Sequence, residues 1–219
     1  MAANLMQNCG LENIGLSELS PICLYEYHGL ISSTSDRVRE LMNGATVVGG
    51  GIFPCLIVAG EQTAGRGRGS KKWWSATGCL MMSLGLELGA EYFPIRREVL
   101  PEFSPVVGNI VLGVLRQYIL PSDVITLRYP NDIYVNNKKI AGILIESPIP
   151  DFAIIGIGIN VNNSAQNIPV DLDREITTIF DLTGNKTDLR KILSEFVSAF
   201  FDKIILSTNG HELAQIIYL

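Results

Sequence analysis

The feature that most restricts the fold is the crowding of strand-like segments between Ile125 and Val161. Ile125 to Tyr129, Ile133 to Val135, Lys139 to Glu146 and Asp151 to Val161 follow one another with only short turns between them. Pro130-Asn131-Asp132 separates the first two, and Asn136-Asn137 joins the second to the third as a tight hairpin. Strands this close leave no room for the crossover of a dozen or more residues that a parallel pair needs. Upstream, Ile22 to Tyr27, Pro54 to Gly60 and Gly78 to Leu88 also read as strands, the last with Leu80, Met82, Leu84 and Leu86 on one face and Ser83 and Gly85 on the other. The expected fold class is therefore α+β, a mixed β-sheet flanked by helices, rather than a doubly wound one.

The helices are fewer. Ser33-Thr34-Ser35 caps a short helix from Asp36 to Met42, stopped by Asn43-Gly44. Phe103 to Leu120 is apolar nearly all round, hence a buried helix. Behind a threonine cap at Thr187, Leu189, Ile192, Leu193, Phe196, Val197 and Phe200 recur at helical spacing. Residues 1–20 are weakly patterned and are expected to form an N-terminal arm on a single domain spanning residues 1–219, with no room for a separate DNA-binding module.

Charge and composition exclude several function classes. With 17 basic against 22 acidic residues, the surface lacks the positive excess that broad nucleic-acid binding requires. No lysine or arginine precedes Arg37, so the start resembles neither a secretory signal nor a transit peptide, and the expected compartment is the cytoplasm. The most apolar runs, Phe152 to Val161 and Pro105 to Leu115, are well short of the roughly 20 residues that span a bilayer, so no membrane partner is expected. Cys9, Cys23, Cys55 and Cys79 are widely spaced and read as reduced structural thiols.

Four segments carry chemistry. Gly65 to Lys72 packs four cations and three glycines into eight residues, which suits either an anion cradle or a solvated basic loop. Arg128-Tyr129-Pro130-Asn131-Asp132 is a strand end and turn that presents Asn131 and Asp132. Lys139, in simple alternation, shares a face with Ala141, Ile143 and Ile145; there it either meets an anionic ligand or snorkels from the strand's edge. In the strand Ile154 to Asn160, Gly156, Gly158 and Asn160 share one face, leaving a hollow for a ligand or for a closely packed backbone. His28 and His211 are the only histidines, and no nucleophile motif points to a covalent intermediate.

Taken together and in order, Glu61-Gln62-Thr63-Ala64-Gly65-Arg66-Gly67-Arg68, Trp73-Trp74-Ser75, Arg128 to Val135, Lys138 to Glu146 and Gly156-Ile157-Gly158-Ile159-Asn160 resemble the catalytic domain of biotin protein ligases. The resemblance spans about Ser33 to Asn160 and implies a fold related to class II aminoacyl-tRNA synthetases. It implies ATP-dependent conversion of biotin to biotinyl-5'-AMP and transfer of the biotinyl group to a lysine of a biotin carboxyl carrier protein, with Mg²⁺ as cofactor. The matching biotin contacts are Ser33, Thr34, Gln62, Gly65, Arg66, Arg68, Lys139, Gly142, Gly156 and Gly158. The adenylate and phosphate contacts fall on Arg66, Arg68, Trp73, Arg128, Asn131 and Lys139, with Asp132 as a Mg²⁺ partner. Arg68, Lys139 and Arg128 are the expected catalytic cations.

The chain departs from that family in three places. Ser33-Thr34-Ser35 stands where Ser-Thr-Asn is usual, and Arg128-Tyr129 stands where Lys-Trp is common before Pro-Asn-Asp. The small β-barrel that follows the catalytic domain in most members is absent or truncated in this reading. A lipoate ligase of the same fold and a non-catalytic biotin-binding protein are the alternatives, and a homodimer is left open.

Overall fold

The computed structural model describes residues 10–48, 51–69, 71–169 and 175–208. Cys9, Ser70 and His211 lie outside the described residues. The strands are β1 (Leu24–Ile31), β2 (Cys55–Gln62), β3 (Cys79–Glu87), β4 (Ile125–Arg128), β5 (Asp132–Val135), β6 (Lys138–Glu146) and β7 (Phe152–Asn160). The helices are α1 (Thr34–Val48), α2 (Leu100–Leu115), α3 (Ile179–Thr183) and α4 (Leu189–Thr208).

The strands form one sheet in the order β1-β2-β3-β7-β6-β5-β4, with β1 parallel to β2 and every other neighbour antiparallel. This is the mixed sheet expected from the spacing of the strands. Asn136 and Asn137 take φ of 49° and 65°, as a two-residue hairpin of this hand requires. The larger core lies between the sheet and helices α2 and α4, where Leu80, Met82, Ile155, Ile157, Val107 and Phe200 are all buried. A smaller core under α1 contains Val38, Met42, Phe53, Cys55 and Ile154. Burying such side chains is the main driving force for assembling these layers.

Helix boundaries shift where tertiary burial outweighs local signals. α1 runs through Asn43-Gly44 to Val48, and Ala45 packs on the smaller core; that contact offsets the roughly 1 kcal/mol penalty of a helical glycine. α2 begins at Leu100 and ends at Leu115, because Pro101 fits a first turn that the apolar pattern alone did not mark. The cap of α4 is Asp188 rather than Thr187, since its Oδ1 accepts from the Arg190 N–H at 2.9 Å. α3, which the pattern did not reveal, is capped by Thr178 and closed by Gly184 at φ 73°.

Ahead of β1, Leu11 and Leu19 lie in two short 3-10 turns and are buried in the larger core. By length and composition, the stretch Arg97–Leu115 is apolar enough to cross a bilayer, but Phe103, Val107 and Leu115 are core residues.

Candidate active site

β6 and β7 meet over a run of missing side chains. Gly142 stands directly across from Gly158, and Gly156 lies between Leu144 of β6 and Ser83 of β3. Ile155, Ile157 and Ile159 turn to the opposite face and enter the larger core. The glycines therefore open a hollow on the α1 side of the sheet. The Trp73 indole lies in it: a Cβ on Gly158 would come within 2.3 Å of Cε2, and one on Gly142 within 3.1 Å of Cζ3.

One wall of the hollow is polar and belongs to the start of α1. The Thr34 N–H and hydroxyl both donate to Gln62 Oε1, at 2.8 and 3.2 Å. Ser83 Oγ is 2.7 Å from Thr34 Oγ1 and 3.0 Å from Ser35 Oγ, and Ser33, Thr34, Ser35 and Ser83 are all buried. Gln62 Nε2 donates to Ser75 Oγ at 3.3 Å. Ser83 and Ser75 are not among the site residues expected from the sequence, although Ser75 stands in the Trp73-Trp74-Ser75 segment. Ser83 had a signal, a hydroxyl projecting opposite a leucine-rich strand face, but its meaning depended on β3 lying beside β7.

The opposite wall carries charge and corrects the reading of Lys139. Tyr134 pairs with Lys139 while Ile133 pairs with Ala141, so Ile140 is an extra residue in β6, a β-bulge. The bulge reverses the alternation. Ile140, Ala141 and Ile143 face the core, while Lys139 joins Gly142 and Leu144 on the site face. The backbone at Lys139 is held by chain remote in sequence: its N–H donates to Glu175 O at 2.8 Å, and its C=O accepts from Thr177 N at 2.9 Å. Lys139 Nζ is 2.8 Å from Asp132 Oδ1 and 5.7 Å from the Trp73 ring centroid. An ammonium is thus presented to the hollow by one carboxylate and one aromatic face.

The remaining sequence candidates divide. Asn131 lines the cavity, and its Nδ2 donates to Ile143 O at 3.0 Å, extending the β5–β6 ladder past the turn. Arg68 lines the cavity with no carboxylate among the described residues at ion-pair distance. Arg66 also lines it, but is bound to Asp36 at 2.8 Å; its hydrogen bond is the main reason that the Asp36 carboxyl lies below its ordinary range. Gly65 does not line the cavity. Its lack of a side chain permits close packing, since a Cβ there would be 2.5 Å from Ser75 Oγ. Arg128 is not brought to the cavity either; it stacks on Tyr134 at 3.8 Å at the edge of the sheet. Burial pushes the Cys55 and Cys79 thiols up to about 12, so neither supplies a thiolate at neutral pH.

The sequence model of the biotin/lipoate A/B protein ligase family matches residues 30–162, which contain every cavity-lining residue named above. The chain belongs to this family. It is 33% identical over 180 residues to the bifunctional ligase/repressor BirA of Bacillus subtilis, covering 80% of this chain and 51% of that one. It is 27% identical over 181 residues to the biotin–[acetyl-CoA-carboxylase] ligase of Mycobacterium tuberculosis, covering 82% and 63%. The chain thus spans about half the length of its Bacillus relative. Among solved structures, the biotin protein ligase of Aquifex aeolicus in complex with biotin and ATP superposes with a TM-score of 0.68 at 28% identity, covering 88% of this chain and 76% of that one. The Leishmania major biotin protein ligase in complex with biotinyl-5-AMP gives 0.66 at 28% identity, covering 82% and 74%.

Family membership makes the crowding of the hollow informative. The cavity left beside the Trp73 indole is ≈ 50 Å³, against roughly 300–1,000 Å³ for small-molecule sites. A ligand bound over the glycines therefore requires the indole to move. Gly158→Ala, which places a methyl group where both indole and ligand must fit, is expected to change tryptophan fluorescence of the free protein and, with biotin as the probe, to weaken any binding over the glycines about tenfold or more. Titration calorimetry beside the emission spectrum checks this; unchanged affinity would show that the ligand avoids Gly158.

Proposed function

We propose that this chain activates biotin with ATP and transfers the biotinyl group to a lysine of a carboxyl carrier protein. The observation that supports this reading above others is the hollow over Gly142, Gly156 and Gly158, with neutral hydroxyl and amide groups at one wall and Lys139 and Arg68 at the other. That polarity suits an uncharged bicyclic head against Thr34, Ser83 and Gln62 and a carboxylate directed toward the cations. The relatives' names and bound ligands, biotin, ATP and biotinyl-5-AMP, are of the same kind.

In the first step a carboxylate oxygen attacks the α-phosphorus of ATP, the bond to the bridging oxygen breaks, and pyrophosphate leaves with the electron pair. The protein has little proton transfer to perform. Its task is to hold two anions together and to stabilise charge on the non-bridging oxygens. Lys139, which faces the hollow, is assigned this role between carboxylate and phosphate, with Arg68 on the same side. Arg128 at the sheet edge is left out of the reacting constellation, and Arg66 acts while bound to carboxylates. Trp73, once displaced, offers an aromatic face to the adenine. In the second step a neutral lysine amine attacks the acyl carbon, AMP leaves, and the amine loses a proton.

Among the described residues, Asp132 is the one carboxylate that lines the cavity. A Mg²⁺ ion held mainly by phosphate oxygens and water needs only one or two carboxylates, so Asp132 fits as its protein ligand. Bound there, the ion would neutralise phosphate charge. A reaction consuming ATP and a folded carrier protein is the argument for a cytoplasmic setting.

ATP–pyrophosphate exchange tests the proposal. Exchange is expected to require biotin and Mg²⁺ together, and to be slower with lipoate as the acid. Faster exchange with lipoate would reassign the substrate. Biotin binding with no exchange would mark a binding protein instead.

A further inference from the structure

Arg66 and Arg68 stand two residues apart in the same loop and meet different fates. Arg66 Nη1 donates to Asp36 Oδ2 at 2.8 Å, and its Nη2 lies 3.5 Å from Glu146 Oε2. The other oxygens of those two carboxylates are taken by Arg39, whose Nη1 is 2.6 Å from Asp36 Oδ1 and whose Nη2 is 3.1 Å from Glu146 Oε1. Two cations and two anions thus close a ring. It joins the first turns of α1, the end of β6 and the Gly-Arg loop, three segments distant in sequence. Asp36, Arg39 and Glu146 stand outside the lining of the cavity over the glycines.

Among the described residues, the ring fastens a loop whose other ties lie along its base. Thr63 and Ala64 donate to Ile31 O and Ser32 O at 2.9 and 2.8 Å, and Gly67 and Trp73 donate within the loop to Lys71 O and Gly65 O. Beyond these, Arg66 is the side-chain tether of the stretch that carries Arg68 over the site. The four side chains are between 25% and 35% exposed, sheltered enough for charge-assisted bonds without full desolvation. Arg66 Nη2 and Glu146 Oε2 are the two buried atoms of the ring with no hydrogen bond, so the joint between loop and β6 is its weakest.

We propose that Asp36, Arg39 and Glu146 are positioning residues that latch the Gly-Arg loop through Arg66 and so set how long a bound acid or adenylate is retained. The inference rests on the biotin-activating reading of the site. The sign of its effects follows from the ring's neutrality. Removing Asp36 leaves two cations on one carboxylate and frees Arg66. Removing Arg39 leaves two carboxylates to Arg66 alone, so the loop is held at least as firmly. A purely structural role predicts otherwise, because both changes delete the same Asp36–Arg39 pair of α1.

Two measurements on the full chain test this. Backbone hydrogen exchange at residues 63–69 of the ligand-free protein is expected to quicken about 5- to 30-fold in Asp36→Asn, the factor for one to two lost polar contacts. It is expected to stay at or below the wild-type rate in Arg39→Gln and to recover partly in Asp36→Glu. Release of preloaded biotin in a chase should follow the same order, with the maximal exchange turnover much less affected. Equal loosening by Asp36→Asn and Arg39→Gln, or an unchanged loop in Asp36→Asn, would overturn the latch. Loop exchange needs no ligand, so a wrong substrate assignment would show in the chase while leaving that first measurement readable.

Discussion

Lys139→Ala is expected to lower biotin-dependent ATP–pyrophosphate exchange by about 100- to 1,000-fold, the cost of removing one preorganised donor to developing charge. The ammonium that faces the hollow is lost, while Asp132, its partner at 2.8 Å, keeps its charge for the Mg²⁺ ion. Asp132→Asn in the Lys139→Ala background is therefore expected to lower exchange further rather than restore it. The loss should fall on turnover more than on biotin affinity, since the interaction strengthens as the phosphorus is attacked. Thermal unfolding beside the kinetics separates chemistry from folding, because Lys139 lies on the site face and its removal leaves no cavity in the core. Unchanged exchange, or a collapse in melting temperature that accounts for the whole loss, would remove Lys139 from the mechanism.

Arg68→Gly is expected to release activated biotin rather than to stop its formation. Arg68 lines both the hollow and the adjoining groove between β6 and the start of α2, where Leu100, Ser104 and Ser147 lie. It stands at the mouth with no carboxylate partner among the described residues, so its charge is available to a bound adenylate in a way that Arg66's is not. A mixed anhydride that escapes acylates any amine it meets. With biotin, ATP and an unrelated lysine-rich protein present, the variant should label the bystander at least about tenfold more than wild type, which corresponds to one lost charge-assisted contact. Adenylation itself should slow far less. Equal bystander labelling together with undiminished adenylate retention would show that Arg68 does not close the site.

Much of the site was legible because its signals are local. Gly156 and Gly158 alternate with isoleucines, so their shared face follows from a two-residue period alone, and the structure places the hollow there. Asn136-Asn137 specifies a hairpin without reference to anything else in the chain. The charged ring around Arg66 was not legible. Asp36 and Arg39 belong to an expected helix and Glu146 ends an expected strand, and nothing local connects them to Arg66 until the fold brings all three against the loop. The displacement of Arg128 was equally hidden: its position in a motif says that a cation follows a strand, but the stacking on Tyr134 depends on how β4 pairs with β5.

By itself the sequence determined the class of fold. Strands too close for crossovers must pair as hairpins, whereas the glycine face and the cation-rich loop each admitted more than one reading. Tertiary structure alone decided which face Lys139 occupies. Alternation assigns it to the apolar side with Ala141 and Ile143, and one extra residue at Ile140 reverses that assignment. The bulge is stabilised where the Lys139 backbone bonds to Glu175 and Thr177, more than thirty residues downstream. Hydrogen bonds of a backbone amide carry no side-chain pattern, so no period in the sequence reports them, yet they set the direction of the ammonium on which the proposed chemistry depends.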